Sequence, residues 1–301
     1  MQHIFYYFII TFFCMILIIP FSHAEKCTQI LFYNSDTNIN NYKQLKIEFD
    51  TFFNKIGNYT FQPFDDEKIF QNQLNEKKFC MIIVSSWFLN NLQNNLELVP
   101  ALIAHKKGVD KKQIVLITKI TSDPKKTPVI KTGNVATSMS SRHTKAVLDS
   151  ILSDNNLNVL RVPKDIDALM AVGFGIATYA LSTFNSFKTL SVINPALYKK
   201  LTLVGKKITS PMMICAFLGQ QQHKKLIDAF VNIDKIPEGK NSIKMLGIDG
   251  FKYYQKEKNS DVETLGPTSL QKKKGLEKHI FVFQIKSSFS LCQFINQAHT
   301  F

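Results

Sequence analysis

Short, wholly apolar segments alternate with amphipathic segments along most of this chain, and this alternation constrains the fold more than any other feature. The apolar segments include Cys27–Asn34 (CTQILFYN), Phe79–Val84 (FCMIIV) and Gln113–Thr118 (QIVLIT). A helix is predicted over Asn41–Ile56, where apolar residues recur at helical spacing. Strands that are apolar on both faces are typical of parallel sheets covered by helices on each side. The sequence therefore predicts an α/β fold with mostly parallel sheets, in which a ligand binds beyond the carboxyl ends of the strands.

The same order of parts recurs in the second half of the chain, so we predict two lobes with a ligand cleft between them. Lys119–Gly133, which is polar and contains prolines and lysines, is predicted to carry the chain into the second lobe, and Ser210–Phe217 to carry it back. A chain of 301 residues that is 45% hydrophobic is long enough to bury a core in each lobe. The predicted boundaries are 25–120 and 218–269 for lobe 1, 121–217 for lobe 2, and 270–301 for a C-terminal extension. The extension contains the apolar run His279–Ile285 and is predicted either to add an edge strand or to be poorly ordered.

A strand, a hydroxyl-rich loop and an amphipathic helix follow one another in Val135–Leu152 (VATSMSSRHTKAVLDSIL). This order leaves free backbone N–H groups and the positive end of a helix pointing beyond the strand, which favours an anion. Arg142 lies in the loop and is one of only two arginines in the chain. Its guanidinium suits an oxyanion because it can donate two parallel hydrogen bonds. The alternative, which stays open at this stage, is that the serines only cap their own helix.

The amino-terminal segment, residues 1–24, is predicted to be a secretory signal peptide. Ile4–Ile19 is almost unbroken apolar sequence, Pro20 ends it, and Ser22 and Ala24 are small residues at the two positions that a signal peptidase reads. We therefore expect cleavage before Glu25 and a periplasmic protein. The alternative is an uncleaved anchor, although the apolar run is shorter than the roughly 20 residues of a spanning helix.

Export places the mature chain in an oxidising compartment, where cysteines can pair. The mature sequence contains Cys27, Cys80, Cys215 and Cys292, which allow two disulfides in three different pairings. Cys27 and Cys80 each begin an apolar segment, so neighbouring parallel strands can bring them together. The alternative is that Cys80 and Cys215 are small buried hydrophobic side chains.

The charge and the motifs exclude several functional classes. The net charge of +14 comes almost wholly from scattered lysines, without a nucleic-acid recognition motif, so we expect no nucleic-acid partner. An anionic ligand or an anionic membrane surface remains compatible with this charge. GxSxG, HExxH and Walker patterns do not occur, and Asp65-Asp66 fits a solvated turn, so we expect no enzyme. We also expect neither a metal nor a cofactor, because no cysteine or histidine cluster has ligand spacing.

The order of these parts resembles the periplasmic solute-binding proteins of ABC transporters, and within them the branch that binds phosphate, phosphite and phosphonate. The resemblance covers about residues 27 to 255. The segments that carry it are VSSWFLNNL (Val84–Leu92), the hydroxyl-rich stretch Val135–Leu152, DIDALMAVGFGIATYALSTFNSF (Asp165–Phe187), Val192–Phe217 and LGIDGF (Leu246–Phe251). It implies two lobes that close by hinge motion around a small ligand, a monomer, and an ABC permease as partner.

The chain departs from the family pattern at two places. Members commonly have an acidic residue shortly after the glycine turn, whereas Gly175-Ile176-Ala177 contains none. Arg142 and His143 stand in the loop where smaller residues are usual. These departures affect the expected ligand more than the expected fold.

The strand ends and the resemblance together predict the ligand-binding residues. Hydroxyls and Arg142 are expected to bind an anion, Tyr33 and Trp87 to form cleft walls or else ordinary core, and His143 to face solvent or cap a helix. The candidate residues are Tyr33, Ser85, Ser86, Trp87, Ser138, Ser140, Ser141, Arg142, His143, Thr144 and Tyr179. The predicted function is capture of a small oxyanion, such as a phosphonate or phosphate, for an ABC importer. The alternatives are a ligand sensor without a transport role, a carrier of a larger apolar ligand and, least favoured, an enzyme on the same fold.

Overall fold

Two sheets, each flanked by helices, form a two-lobed α/β structure, as the sequence predicted. Both sheets are mixed, with parallel and antiparallel strand pairs. The computed structural model describes residues 28–36, 39, 41–92, 96–120, 132–152, 156–219 and 223–255. The predicted signal peptide, Cys27, Cys292 and the C-terminal extension lie outside the described residues. All of the described residues belong to one compact unit. Among them, no helix combines the length and the apolar composition that crossing a membrane requires.

The first sheet has a parallel half and an antiparallel half. Its strands are β1 (Gln29–Tyr33), β2 (Thr60–Phe64), β3 (Met81–Val84), β4 (Leu98–His105), β10 (Ile214–Leu218) and β11 (Gly250–Tyr253). They lie in the order β11-β4-β10-β3-β1-β2. Strand β1 is parallel to both β2 and β3, whereas β10 and β11 run antiparallel to β4.

The second sheet repeats this plan with one strand fewer. Its strands are β5 (Lys111–Lys119), β6 (Thr132–Thr137), β7 (Asn156–Arg161), β8 (Tyr179–Thr183) and β9 (Leu201–Pro211). They lie in the order β7-β6-β8-β5-β9. Strand β6 is parallel to β7 and β8, and β5 is antiparallel to β8 and β9. The carboxyl ends of β6 and β8 therefore share one edge of this sheet.

The helices cover the faces of both sheets. Those of the first sheet are α1 (Tyr42–Ile56), α2 (Glu67–Asn75), α3 (Ser86–Leu92), α8 (Lys224–Val231), a 3-10 turn (Ile233–Lys235) and α9 (Pro237–Leu246). Those of the second sheet are α4 (Ser141–Ile151), α5 (Asp165–Phe174), α6 (Phe184–Ile193) and α7 (Pro195–Tyr198). Helix α1 shows why they form: Asn41 caps its first turn, and its spaced apolar residues, among them Phe49 and Phe53, are wholly buried. Burying each such side chain contributes about 2 to 3 kcal/mol.

The chain passes between the sheets at two places, and the first of them differs from the predicted one. It crosses at 106–110, between β4 and β5, because β5 pairs with β8 and β9 in the second sheet. The strands on either side of the predicted crossing at Lys119–Gly133, β5 and β6, both belong to the second sheet. Residues 121–131 of that segment lie outside the described residues. The return lies at Met212–Met213, so that β10 belongs to the first sheet. We therefore use lobe 1 for 28–110 and 212–255, and lobe 2 for 111–211.

The physical reason for this difference is that breaker residues do not identify the partner of a strand. The turn at 106–109 is closed by hydrogen bonds between Lys106 and Val109, with Gly108 at φ 77°. It looks like an ordinary hairpin in the sequence, and only the pairing of β5 with β9 makes it a crossing. Only the first part of β9, Leu201–Val204, is a mainly apolar run in the sequence. The strand lies at the edge of the sheet, where polar residues such as Lys206 face solvent.

Candidate functional site

The turns that follow β1 and β3 in lobe 1 contact the loop that follows β6 in lobe 2. The backbone N–H of Ser140 donates a hydrogen bond to the carbonyl oxygen of Ser35 at 2.9 Å. This contact joins the N-terminus of α4 to the turn after β1. The carboxyl ends of strands from both sheets therefore meet at one interface, which contains most of the predicted site residues.

The hydroxyls at the start of α4 make hydrogen bonds within their own loop. Ser140 is the N-cap residue, and its Oγ accepts from the N–H of His143 at 3.4 Å. Thr144 Oγ1 donates to the carbonyl of Ser140 at 2.8 Å. Ser141 is exposed to solvent. Ser140 therefore caps its own helix, which was the alternative interpretation of these serines. Its backbone N–H also contacts lobe 1.

Ser138 belongs to a hydrogen-bond network centred on Asp165, whose role the sequence analysis missed. Ser138 Oγ donates to Asp165 Oδ1 at 2.6 Å. Asp165 Oδ2 accepts from the N–H of Thr183 at 2.9 Å and from Ser186 Oγ at 3.1 Å. The carboxylate thus connects the end of β6, the start of α5 and the turn between β8 and α6. Ser138 is fully buried and helps to hold this edge of lobe 2 together.

A buried group of charged side chains joins the two lobes near the first crossing. The carboxylate of Asp36, in the turn after β1, forms an ion pair with the ammonium of Lys112 in β5. Asp36 Oδ1 also lies 3.0 Å from His143 Nδ1, although this approach is not aligned as a hydrogen bond. Burial raises the pKa of Asp36, but the Lys112 ammonium and the neighbouring imidazole outweigh it and hold the pKa of this carboxyl well below its usual range. The carboxylate is therefore ionised at neutral pH.

His143 is fully buried, which contradicts the prediction that it faces solvent or caps a helix. Its imidazole stacks on the indole of Trp87, with ring centroids 4.6 Å apart and an interplanar angle of 18°. The capping contact at this helix is made instead by the Ser140 side chain. His143 Nε2 has no hydrogen-bond partner among the described residues. Like Nδ1, it is therefore a buried polar atom whose hydrogen-bonding capacity is not satisfied within the described part of the chain.

Arg142 lies at the rim of the same interface. Its Nη1 donates to Glu67 Oε1 at 2.8 Å, and its Cζ lies 5.7 Å from the centroid of the Trp87 ring. More than half of the arginine side chain is exposed, whereas Glu67 is largely covered. Both partners of Arg142 belong to lobe 1, so the guanidinium connects the lobes while remaining accessible from solvent.

Tyr33 packs in the core of lobe 1 beside this interface. Its ring packs against Phe70 at 5.3 Å and Phe88 at 4.9 Å between centroids. Its hydroxyl donates a long hydrogen bond of 3.5 Å to Glu67 Oε2. Burial, together with the Glu67 carboxylate, raises the pKa of Tyr33 well above its usual value, so its hydroxyl remains a neutral donor.

The two serines after β3 form hydrogen bonds with different partners. Ser85 Oγ lies 2.5 Å from Ser35 Oγ and accepts from the N–H of Phe88 at 3.2 Å. Ser86 Oγ donates to the carbonyl of Pro211 at 3.0 Å. Because Pro211 ends β9 in lobe 2, Ser86 holds the lobes together beside the second crossing.

Tyr179 does not join these residues. It is the first residue of β8, whereas the carboxyl end of that strand, at the interface, is Thr183. Four residues of strand separate the two positions by about 13 Å. Tyr179 is buried in the core of lobe 2, and burial raises its pKa. The apolar run in the sequence, Ile176–Leu181, ends two residues before β8 does, which is why Tyr179 was expected nearer to the site than it lies.

The residues that sequence reasoning missed are mostly the charged ones. Asp36 could have been recognised as a site residue from the sequence, because it lies in the turn that follows a buried strand. No local feature of the sequence marks Lys112 as a site residue, because residues up to 120 were predicted to belong to lobe 1. Within the described part of the chain, no group of three or more His, Cys, Asp or Glu side chains is arranged to hold a metal ion.

The cysteines that the structure describes lie outside this interface. Cys80 is disulfide-bonded, which contradicts its alternative reading as an unpaired buried side chain. Cys215 is free and buried, and burial raises the pKa of its thiol. It therefore behaves as a small apolar side chain of lobe 1.

Comparison with known proteins shows the fold. By sequence, no family model matches this chain, and no curated protein matches it significantly. By structure, it is similar to XAC2383 from Xanthomonas citri bound to chloride ion, with a TM-score of 0.54 at 10% identity over 76% of this chain and 91% of that chain.

Two further similar structures belong to phosphonate-binding proteins. One is a binding protein component of an ABC phosphonate transporter from Pseudomonas aeruginosa, with a TM-score of 0.52 at 13% identity over 75% of this chain and 82% of that chain. The other is PhnD1 from Prochlorococcus marinus in complex with methylphosphonate, with a TM-score of 0.52 at 12% identity over 76% of this chain and 92% of that chain. These neighbours are binding proteins rather than enzymes. The chain therefore has the two-lobed α/β fold of periplasmic solute-binding proteins.

Proposed function

We propose that this chain is a periplasmic solute-binding protein that captures a small oxyanion of the phosphonate or phosphate type between its lobes and delivers it to an ABC importer. The observation that carries the proposal is the buried His143 Nε2, which lacks a partner among the described residues at the N-terminus of α4. A helix N-terminus favours an anion through its partial positive charge. The methylphosphonate bound by PhnD1 supports this ligand class.

An anion that binds at this interface must compete with the protein's own carboxylates for the cationic side chains. Glu67 accepts a hydrogen bond from Arg142, and Asp36 pairs with Lys112. The first pair is partly exposed, so an incoming oxyanion can replace Glu67 on the guanidinium at modest cost. The second pair is buried, and breaking it would leave an uncompensated charge. Arg142 is therefore the cation that binds the ligand, whereas Asp36 and Lys112 hold the lobes together.

The alternative of a larger apolar ligand depends on three apolar residues of lobe 2, Phe174, Ile176 and Phe184. Phe174 ends α5 and Ile176 lies two residues beyond it, and both are exposed at the end of the helix away from the interface. The ring of Phe184 is covered by the ammonium of Lys207, 3.6 Å from its centroid. Phe184 follows Thr183 at the interface edge, so the carrier alternative keeps one of its three apolar residues at this place. A sensor without a transport role uses the same anion site and differs only in its downstream partner.

Calorimetric titration of the chain from Glu25 onward tests the proposal. Phosphate, phosphite and methylphosphonate are compared with a neutral amino acid and a lipid panel. We expect saturable heat with at least one oxyanion, and a loss of about tenfold in affinity on Arg142→Gln, since a charge-assisted hydrogen bond contributes about 1.5 to 3 kcal/mol. Lys145→Gln, an exposed lysine on the same helix, is the control and should bind as the unchanged chain does.

Two results would overturn the assignment. Heat and stabilisation with lipids alone would replace the oxyanion by an apolar ligand. Turnover of any titrated compound would move the protein to the enzyme class. Growth on the bound oxyanion of a strain that retains the permease, compared with and without this chain, separates importer delivery from sensing.

A further inference from the structure

Exposed apolar side chains cluster at the end of lobe 2 that lies opposite the interface with lobe 1. Phe174 is 71% exposed and Val192 is 82% exposed, which is unusual for side chains of this size. The other members are Ile120, Ile176 and Ile193. Single exposed apolar residues are ordinary, but a group of them at one place marks an interaction surface.

The direction of the helices puts these residues at one end of the lobe. Helices α5 and α6 both begin at the interface edge, where Asp165 bonds the N–H of Thr183. They run away from it, so Phe174 and Ile193, their last residues, lie at the opposite edge. We call this end, formed by the last turns of α5 and α6, by α7 and by the end of β5, the lobe-2 pole.

Contacts between the elements make the pole continuous. Gly173, next to Phe174, packs directly against Leu197 of α7, and a Cβ at that glycine would overlap the leucine. Helix α7 follows Ile193 after a single residue. The N–H of Ile120 donates to the carbonyl of Lys200 at 2.8 Å. The apolar residues thus surround one short helix rather than lying on separate faces.

Lysines lie among these apolar residues. Lys119, Lys199 and Lys200 are exposed at the pole. Lys119 Nζ reaches to 3.6 Å from the position that a Cβ on Gly175 would take, between the two apolar residues Phe174 and Ile176. The pole therefore presents positive charge and apolar surface together.

Among the described residues of this lobe, acidic side chains are few and lie mostly away from the pole. In the part of lobe 2 that the structure describes, the acidic residues are Asp149, Asp165 and Asp167. Asp165 and Asp167 begin α5 at the interface edge, and Asp149, in the last turns of α4, is engaged with a partner. The described basic residues of the same lobe are Lys111, Lys112, Lys119, Arg142, Lys145, Arg161, Lys164, Lys188, Lys199, Lys200, Lys206 and Lys207. A negatively charged partner is therefore attracted to this lobe.

We propose that the lobe-2 pole docks on the surface of an anionic lipid bilayer. The apolar side chains enter the boundary between headgroups and acyl chains, and the lysines contact lipid phosphates. This combination of lysine and exposed apolar side chains is complementary to such a boundary, because both parts of the lipid meet a matching group. Docking at the pole leaves the interface between the lobes facing away from the bilayer surface, so it does not compete with ligand capture.

Co-sedimentation with vesicles tests this proposal on the chain from Glu25 onward, which lacks the apolar segment Ile4–Ile19. We expect binding to vesicles of phosphatidylcholine with phosphatidylglycerol, weaker binding to phosphatidylcholine alone, and release as salt is raised. A pole variant combines Phe174→Ser, Val192→Ser, Lys199→Glu and Lys200→Glu, and should lower the partition coefficient at least about tenfold. Its circular dichroism and anion titration should be unchanged, because the substituted side chains are exposed and away from the interface.

A matched variant on lobe 1 controls for general loss of charge and apolar surface. It carries Ile69→Ser, Lys224→Glu and Lys225→Glu at exposed positions, and should bind vesicles as the unchanged chain does. Equal loss in both variants, or no binding by the unchanged chain, would overturn the proposal. Analytical ultracentrifugation gives a further outcome that would overturn it. If the unchanged chain forms a dimer that the pole variant does not form, and the unchanged chain does not bind vesicles, the pole joins two copies of this chain.

Discussion

The imidazole of His143 lies flat against the indole of Trp87, with 4.6 Å between the ring centroids, and the two residues belong to different lobes. Trp87 is the only tryptophan of the chain and is almost fully buried. Its fluorescence therefore reports directly on the contact between the lobes.

Substitution His143→Ala should shift the emission of Trp87 to longer wavelength, because removal of the imidazole admits water to the indole. Steady-state emission spectra and acrylamide quenching measure this change. The control is His223→Ala, which removes a histidine that stacks on Phe217 at 5.7 Å, away from Trp87. An unchanged spectrum in the His143 variant would mean that the stacked arrangement is not populated in solution.

Substitution Asp36→Asn should lower the free energy of unfolding by about 3 kcal/mol, because it leaves the ammonium of Lys112 without a counter-ion in a covered position. Urea unfolding followed by circular dichroism measures the difference. Asp110→Asn is the matched control, since Asp110 pairs with Lys252 in a more exposed position. Asp110→Asn should lower the free energy of unfolding by less than about 1 kcal/mol. Equal losses in the two variants would contradict a buried ion pair between the lobes.

The contribution of Asp36 should disappear in acid. Lys112 and His143 hold its pKa in the folded state below the ordinary value of 3.8, so the unfolded chain takes up the proton first as the pH falls. The stabilisation is therefore complete well above pH 3.8 and is lost as the pH falls through the lower folded-state value. Unfolding of the native chain and of Asp36→Asn at a series of pH values should give a difference that shrinks below that pH. A constant difference would exclude the linkage.

Substitution Glu67→Gln should raise the affinity for the proposed oxyanion several-fold, because it frees the Arg142 guanidinium from a competing carboxylate. A partly exposed pair of this kind contributes about 1 kcal/mol or less. Calorimetric titration with methylphosphonate measures the change, and Glu76→Gln, which alters a carboxylate paired with Lys78 on the surface, is the control. Weaker binding in the Glu67 variant would mean that this carboxylate contacts the ligand itself.

Substitution Gly239→Ala should destabilise the chain by about 1 to 3 kcal/mol, because a Cβ at this position would meet the backbone carbonyl of Ile233. Helix propensity alone predicts the opposite effect on stability, since alanine stabilises a helix by about 1 kcal/mol relative to glycine. Lys240→Ala, at the exposed neighbouring position, should leave stability nearly unchanged. A stabilised Gly239 variant would show that α9 can move away from the 3-10 turn.

Local sequence was sufficient for the elements that build the site. Strands β1 and β3 are buried over nearly their whole length, so their apolar composition predicted them and their parallel pairing. The spacing of apolar residues predicted α4, but the helix begins earlier than predicted. Ser141–Thr144, which were expected in the loop, form its first turn, and Ser140 caps it. The strand-end turns that meet across the lobes followed from the same pattern.

What only the tertiary structure decided is which elements become partners. The crossing at 106–110 depends on hydrogen bonds between β5 and the distant β9, and no local feature of the turn reports them. The burial of His143 depends on Trp87 of the other lobe, and the ionised state of Asp36 depends on Lys112 there. Periodicity in a sequence reports which face of an element is apolar, whereas these contacts join residues far apart in the chain. The sequence by itself therefore determined most of the α/β elements and the strand ends at which the lobes meet, and the folding of one lobe against the other decided which charges this interface contains.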